Sequence, residues 1–75
     1  MTQTETIDAL GLLCPLPVLK LRKRIKPLKS GQIIELMADD PAAVVDVPHY
    51  CAEAGHELVE VAQDGAVMVF RVRKS

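Results

Sequence analysis

Apolar positions recur with helical spacing in one stretch of the chain, residues 16–29. There Val18, Leu21, Ile25 and Leu28 follow one another at intervals of 3, 4 and 3 residues, while basic side chains occupy most of the remaining circumference. This pattern predicts an amphipathic helix that begins at Leu16. Pro27 falls near its last turn, and the Ser-Gly pair at residues 30–31 is expected to stop it.

A second helix is predicted over residues 41–54, because Asp39-Asp40-Pro41 is typical of a helix start. An aspartate accepts hydrogen bonds from the first free amides, and proline suits the first helical position because its missing amide would be unpaired there. Pro48 cannot donate to the carbonyl four residues earlier, so we expect a kink or two short segments.

Four other stretches have the composition of strands: residues 4–10, 32–38, 57–62 and 66–72. In the last of them Met68, Phe70 and Val72 share one face and Arg71 and Arg73 the other. The dipeptide Asp-Gly at residues 64–65 predicts a tight hairpin between the final two strands.

The resulting order is β-α-β-α-β-β. Strands separated by helices usually run parallel with right-handed crossovers, which puts the intervening helices on one side. The sequence therefore predicts an α/β fold: a two-layer α/β sandwich with a mixed four-stranded sheet and both helices on one face. We expect residues 1–75 to form a single domain, because a chain of 75 residues has no room for a second core.

Composition and charge agree with a folded protein. The chain is 49% hydrophobic and 25% charged, with a net charge of −1. Residues 1–37 carry six basic and three acidic side chains, and residues 38–75 carry three and seven, so the halves are +3 and −4. The bases of the first half lie at Lys20, Arg22, Lys23, Arg24, Lys26 and Lys29. They form either a solvated helix face or a surface for an anionic partner.

The apolar run over residues 9–19 does not have the character of a targeting segment. It is broken by Gly11, Pro15 and Pro17, and no basic residue precedes Lys20. We therefore expect neither a signal peptide nor a membrane span, and a cytoplasmic location. In that compartment both cysteines of the chain are expected to be reduced thiols.

Cys14 stands where the first strand gives way to the first helix. If the first two strands are parallel, Cys14 and the Asp39-Asp40 pair emerge at the same edge of the sheet. Pro15 and Pro17 fall in the first helical turn, where a missing amide breaks no intrahelical bond. Cys14 is then the N-cap or its neighbour, where the helix dipole favours the thiolate and such cysteines reach pKa values of roughly 3.5–7.5. We therefore expect a lowered Cys14 pKa, with the Asp39-Asp40 pair partly opposing the effect.

The segment DALGLLCPLPVLKLRK resembles the N-terminal motif of the TusA (SirA-like) sulfur-carrier family, in which Cys-Pro-x-Pro opens the first helix. The resemblance continues through SGQIIELMADDPAAVVDVP, through YCAEAGHELV and into a closing hairpin. It implies a two-layer α/β fold and a carrier cysteine, here Cys14, that accepts sulfane sulfur as a persulfide. The implied donor is a cysteine desulfurase or a rhodanese-type protein. The implied acceptor is a protein of tRNA thiolation, cofactor assembly or sulfur oxidation.

Four residues are candidates for contact with such partners. Leu13 and Leu16 either frame the sulfur with apolar surface or pack locally, and they stand where tRNA-thiolation members tend to carry a basic and an acidic residue. Arg22 is a candidate contact for an acidic donor face or for RNA held by an acceptor complex. Asp40 is a helix cap or a contact residue. The resemblance leaves the identity of donor and acceptor open.

Cys51 falls within the second predicted helix, where it either packs in the core or serves as a second thiol for Cys14. We expect no metal site, because Cys14, His49, Cys51 and His56 match no zinc spacing. We expect no cofactor either, and no general base is visible beside Cys14. The chain is thus predicted to be a monomeric component of a sulfurtransferase system rather than a stand-alone enzyme.

Two other functions compete with the sulfur carrier. An RNA-binding module is suggested by the basic helix on this frame, but one Tyr, one Phe and no Trp offer little base stacking, so direct nucleic-acid binding is not expected. A thiol-redox regulator would need Cys51 as a partner for Cys14.

Overall fold

The computed structural model describes residues 4–75, which form a four-stranded sheet covered by two helices. The elements follow the order predicted from the sequence. They are β1 (Thr4–Ala9), α1 (Leu16–Ile25), β2 (Ile33–Ala38), α2 (Ala43–Ala54), β3 (Glu57–Asp64) and β4 (Val67–Arg73).

The sheet is mixed, with the strand order β1-β2-β4-β3. β1 and β2 run parallel in a register that pairs Ala9 with Ala38 at their carboxyl ends. β4 is antiparallel to both of its neighbours. The two helices contact each other as well as the strands, so both cover the same face. The predicted α/β sandwich is confirmed.

The core lies between this face and the helices. Alternate residues of β2 and β4 are buried, as the period of a strand requires. Leu21 and Ile25 supply the buried stripe of α1, with Val18 and Leu28 packed at its margin. The largest fully buried side chains are Phe70, Ile7, Leu21, Ile25, Ile34, Leu36, Val47, Val72 and Cys51.

α1 is shorter than the apolar spacing predicts and ends at Ile25. Pro27 has no N–H to continue the ladder, and the Leu28 N–H donates instead to the Ile25 carbonyl at 3.1 Å. The Lys74 ammonium, directly after β4, donates to the carbonyls of Ile25 and Lys26 at 3.1 and 2.8 Å. A cation thus binds the negative end of the helix.

α2 begins two residues later than predicted, at Ala43. A tight turn precedes it, in which the Ala43 N–H donates to the Asp40 carbonyl at 2.9 Å. The helix continues through Pro48 as one segment, so of the two expected alternatives, a kink or two short segments, the second is wrong. Because Pro48 has no N–H, the helix lacks one backbone hydrogen bond at this position. The buried side chains of Val47 and Cys51 nevertheless keep the helix packed against the core.

The hairpin turn lies one residue further along than the Asp-Gly pair suggests. Asp64 is still paired with Val67, so the two-residue loop is Gly65-Ala66. Gly65 has a φ of 62°, whereas no residue other than glycine has a positive φ in the described chain. A positive φ at the first loop position alone is the pattern of a type II′ turn.

Within residues 4–75, neither helix has the length and apolar character needed to cross a lipid bilayer.

Candidate functional site

The site lies at the edge where β1 and β2 end side by side. Two carboxylates from the segment after β2 hold the segment after β1: Asp39 Oδ1 accepts from the Gly11 N–H at 2.9 Å, and Asp40 Oδ2 accepts from the Cys14 N–H at 2.6 Å. The prediction that Cys14 and the aspartate pair emerge together is confirmed. The contacts fix the backbone on both sides of the Leu12-Leu13 pair.

Gly11 permits the sharp change of direction after β1, with a φ of 78°. The chain then passes through Leu12, whose side chain packs against the core, and Leu13, whose side chain is 69% exposed. The Leu16 N–H donates to the Leu13 carbonyl at 2.8 Å, which closes a turn around Cys14. Cys14 is thus held on the surface by backbone contacts on both of its sides.

Pro15 and Pro17 open the helix, but only Pro17 falls in the first helical turn that the sequence predicts for both. Pro15 is the N-cap, Leu16 is the first helical residue, and Pro17 is buried in the first turn. The Cys14–Pro15 peptide bond is cis. Cys14 therefore precedes the N-cap and is an exposed free thiol.

The expectation of a lowered Cys14 pKa is wrong. The pKa of Cys14 is raised above its ordinary value, chiefly because the Asp46 carboxyl accepts a hydrogen bond from the protonated thiol. Desolvation and the negative charges of Asp46 and Asp40 act in the same direction. The start of the helix opposes this rise in pKa with few amides, since Pro15 and Pro17 have no N–H and the Leu16 N–H is bound to Leu13, which leaves only the Val18 N–H.

Cys14 borders an open cleft of about 250 Å³ between the two helices. One wall comes from the start of α1 and the other from one side of α2. The lining residues are Cys14, Pro15, Val18, Arg22, Asp46, His49, Tyr50 and Glu53. The cleft therefore brings the thiol together with acidic, basic and aromatic groups.

Arg22 belongs to this cleft rather than to the outer basic face of α1. Its guanidinium carbon lies 5.8 Å from the centroid of the Tyr50 ring, a cation–π distance. On the far side of the cleft, His49 Nε2 lies 3.1 Å from Glu53 Oε1, one helical turn away. Both cleft bases are thus held by neighbours on α2.

Sequence reasoning missed Asp46, His49 and Glu53 as neighbours of Cys14. One signal was available for Asp46: it lies within the first turns of a helix that starts at the same sheet edge as Cys14. Nothing in the linear pattern gives the rotation of α2 about its axis, which selects the side chains that face the cleft.

Cys51 is separated from this surface. Its side chain is 2% exposed and belongs to the core, and burial raises the pKa of its thiol. The packing role, one of the two considered from the sequence, is the one the structure supports. Within residues 4–75, no group of three His, Cys, Asp or Glu side chains is arranged to hold a metal ion.

Comparison with known proteins gives two concordant results. Residues 5–74 match the family model described as Sulfurtransferase TusA. The crystal structure of the SirA-like protein from Desulfitobacterium hafniense superposes with a TM-score of 0.82 at 25% sequence identity. That match covers 95% of this chain and 96% of the other, so the similarity extends over the whole fold.

Proposed function

The chain belongs to the TusA sulfurtransferase family, and from this premise we propose that it carries sulfane sulfur as a persulfide on Cys14. Members of this family are sulfur-relay components that interact with sulfur donors and acceptors. The observation that carries the proposal is the contrast between the two thiols: Cys14 is exposed in a turn fixed by hydrogen bonds, whereas Cys51 is buried.

A carrier cysteine must satisfy two partners in succession. Its thiolate attacks the outer sulfur of a donor persulfide, and the outer sulfur of the resulting Cys14 persulfide is then attacked by an acceptor thiol. Both steps need the sulfur at a surface that another protein can reach. The turn at residues 11–14 provides such a surface, because its backbone contacts leave the Cys14 side chain outside the core.

The proposed donor is a cysteine desulfurase or a rhodanese-type protein, and the proposed acceptor is a protein of tRNA thiolation, cofactor assembly or sulfur oxidation. We place this single-domain carrier in the cytoplasm as a monomer, without a cofactor, where its thiol stays reduced. In this proposal the acceptor complex binds the nucleic acid, and the carrier itself does not.

The partner surface in this proposal consists of Leu13, Leu16, Arg22 and the loop ordered by Asp40. The two leucines are exposed on either side of Cys14, which supports a role in covering the sulfur when a partner docks. Both oxygens of the Asp40 carboxylate are engaged, one by the Cys14 N–H and the other by the Ala42 N–H at 3.2 Å. Asp40 therefore contributes to docking through the loop it holds.

The test is sulfur loading of cysteine variants. The reduced protein is incubated with a desulfurase and cysteine, and its intact mass is measured. We expect one added sulfur atom on the wild-type protein and on Cys51→Ala, and none on Cys14→Ala. Circular dichroism checks that both variants are folded. Loading of Cys14→Ala at the wild-type level would refute the proposal.

A further inference from the structure

The surroundings of Cys14 favour a protonated sulfur. Apart from Cys14 itself, the charged and titratable groups around the cleft come from α1, from α2 and from the segment after β2. They are Arg22, Asp46, His49, Tyr50, Glu53 and Asp40. The role of each group follows from the contacts it makes.

The two basic groups are each engaged away from the thiol. Arg22 lies over the Tyr50 ring, and His49 is paired with Glu53. Within the part of the chain that the structure describes, neither base forms an ion pair with Asp46. The Asp46 carboxylate therefore lines the same cleft as Cys14, and no ion pair within residues 4–75 neutralises it.

The helix end does not compensate for this negative charge. A thiolate before a helix is normally stabilised by free amides of the first turn. Here two of these positions are prolines and the Leu16 N–H is bound to the Leu13 carbonyl, so of the first-turn amides only the Val18 N–H is left. The Asp40 carboxylate accepts a hydrogen bond from the Cys14 N–H and so places a second negative charge beside Cys14.

We propose that Asp46 is a positioning residue that holds the proton on the Cys14 sulfur, so that the free carrier presents a thiol and reacts slowly outside a complex. The raised pKa of Cys14 agrees with this arrangement. The inference rests on the proposed function for its meaning. Its geometry, a carboxylate and a thiol sharing one cleft, is independent of it.

The consequence concerns the loading step. Loading forms a bond between Cys14 Sγ and the outer sulfur of the donor persulfide, and it breaks the donor's S–S bond. The electron pair leaves on the donor cysteine, which takes up the proton that Cys14 releases, so no external oxidant or reductant is needed. A hydrogen bond that retains this proton slows attack by lowering the thiolate fraction.

The experiment measures the alkylation rate of Cys14 in the full-length protein between about pH 6 and pH 11, a range that brackets the ordinary cysteine pKa. Iodoacetamide is the probe, and the modified peptide identifies the cysteine. We expect Asp46→Asn to alkylate roughly three- to tenfold faster than wild type near pH 7.5, with its pH profile moved to lower pH. Asp46→Ser should behave in the same way. Asp46→Glu, which keeps the carboxylate, should restore much of the slow rate.

Glu53→Gln is the matched control, because it removes a carboxylate from the same cleft that is paired with His49. We expect its profile to coincide with that of the wild type. The proposal is overturned if Asp46→Asn and Asp46→Ser leave the profile unchanged, or if Glu53→Gln moves it equally. Sulfur loading is measured in a separate experiment. If the wild-type protein is not loaded, the carrier function is refuted, but the conclusion about Asp46 from the alkylation rates still holds.

Discussion

Individual hydrogen bonds decide where the Cys14 sulfur stands. The Cys14 amide is bound by Asp40 and the Gly11 amide by Asp39, and these contacts span more than twenty residues of sequence. Parallel pairing of the first two strands predicts that these residues meet. It does not predict which carboxylate binds which amide, because that depends on side-chain rotamers and turn geometry.

Replacing Asp40 with Ala should destabilise the fold. The substitution removes a charge-assisted bond to the Cys14 N–H and the bond to the Ala42 N–H before α2. We expect the free energy of unfolding to fall by about 1–3 kcal/mol in urea denaturation. Asp40→Asn, which keeps one acceptor oxygen, should lose less. An Asp40→Ala protein within about 0.5 kcal/mol of wild type, the range of a neutral surface change, would contradict this role.

The helices and strands were predictable in number and order, but their ends were not. The apolar stripe of α1 and the start signal of α2 identify both helices from the sequence. The actual ends depend on contacts from distant residues, such as the Lys74 ammonium on the carbonyls after Ile25. The surroundings of Cys14 could not be predicted from the sequence for the same reason. The orientation of α2, which places Asp46 in the cleft with Cys14, is set by packing against the rest of the fold.

The junction between α2 and β3 should make stability depend on pH through His56. Its Nδ1 accepts from the Ser75 N–H at 3.2 Å, and burial together with the Lys74 ammonium lowers the pKa of the ring. Folding therefore disfavours the protonated ring. The stabilisation is fully present above the unfolded pKa of about 6.5 and is lost as the pH falls through the lower folded value.

The measurement is the urea midpoint of unfolding at pH 7 and pH 5. We expect the wild-type midpoint to fall over this interval. His56→Asn, which retains an acceptor but does not titrate, should show a smaller fall. Parallel loss of stability in both proteins would assign the pH dependence to other groups.

At the scale of the whole molecule, the charge division of the sequence is only partly kept in space, because four acidic residues of the second half lie around Cys14 and the start of α1: Asp39, Asp40, Asp46 and Glu53. α1 exposes Lys20, Lys23 and Arg24, and Cys14 lies at the amino end of this helix. The opposite edge of the sheet is β3, whose residues are largely exposed. The net charge of −1 gives no information about where the charged side chains lie, because their positions on the surface depend on the fold.

Leu13→Ser should weaken docking without weakening the fold. Leu13 is exposed beside Cys14, so its burial in a complex is worth about 1–2 kcal/mol, or roughly 5- to 30-fold in kcat/KM for loading by the donor. Val61→Ser is the matched control, because Val61 is also exposed but lies on the far edge strand. Equal losses of kcat/KM in the two variants would argue against a docking surface around Cys14.

The most direct test of the account locates the transferred sulfur in the wild-type chain. The loaded protein is separated from its donor, alkylated and digested with trypsin, whose cleavage after Lys20 and Lys29 puts Cys14 and Cys51 on different peptides. We expect an added sulfur atom on the Cys14 peptide and an unmodified thiol at Cys51. Sulfur found on the Cys51 peptide, or on neither peptide after productive turnover of the donor, would contradict it.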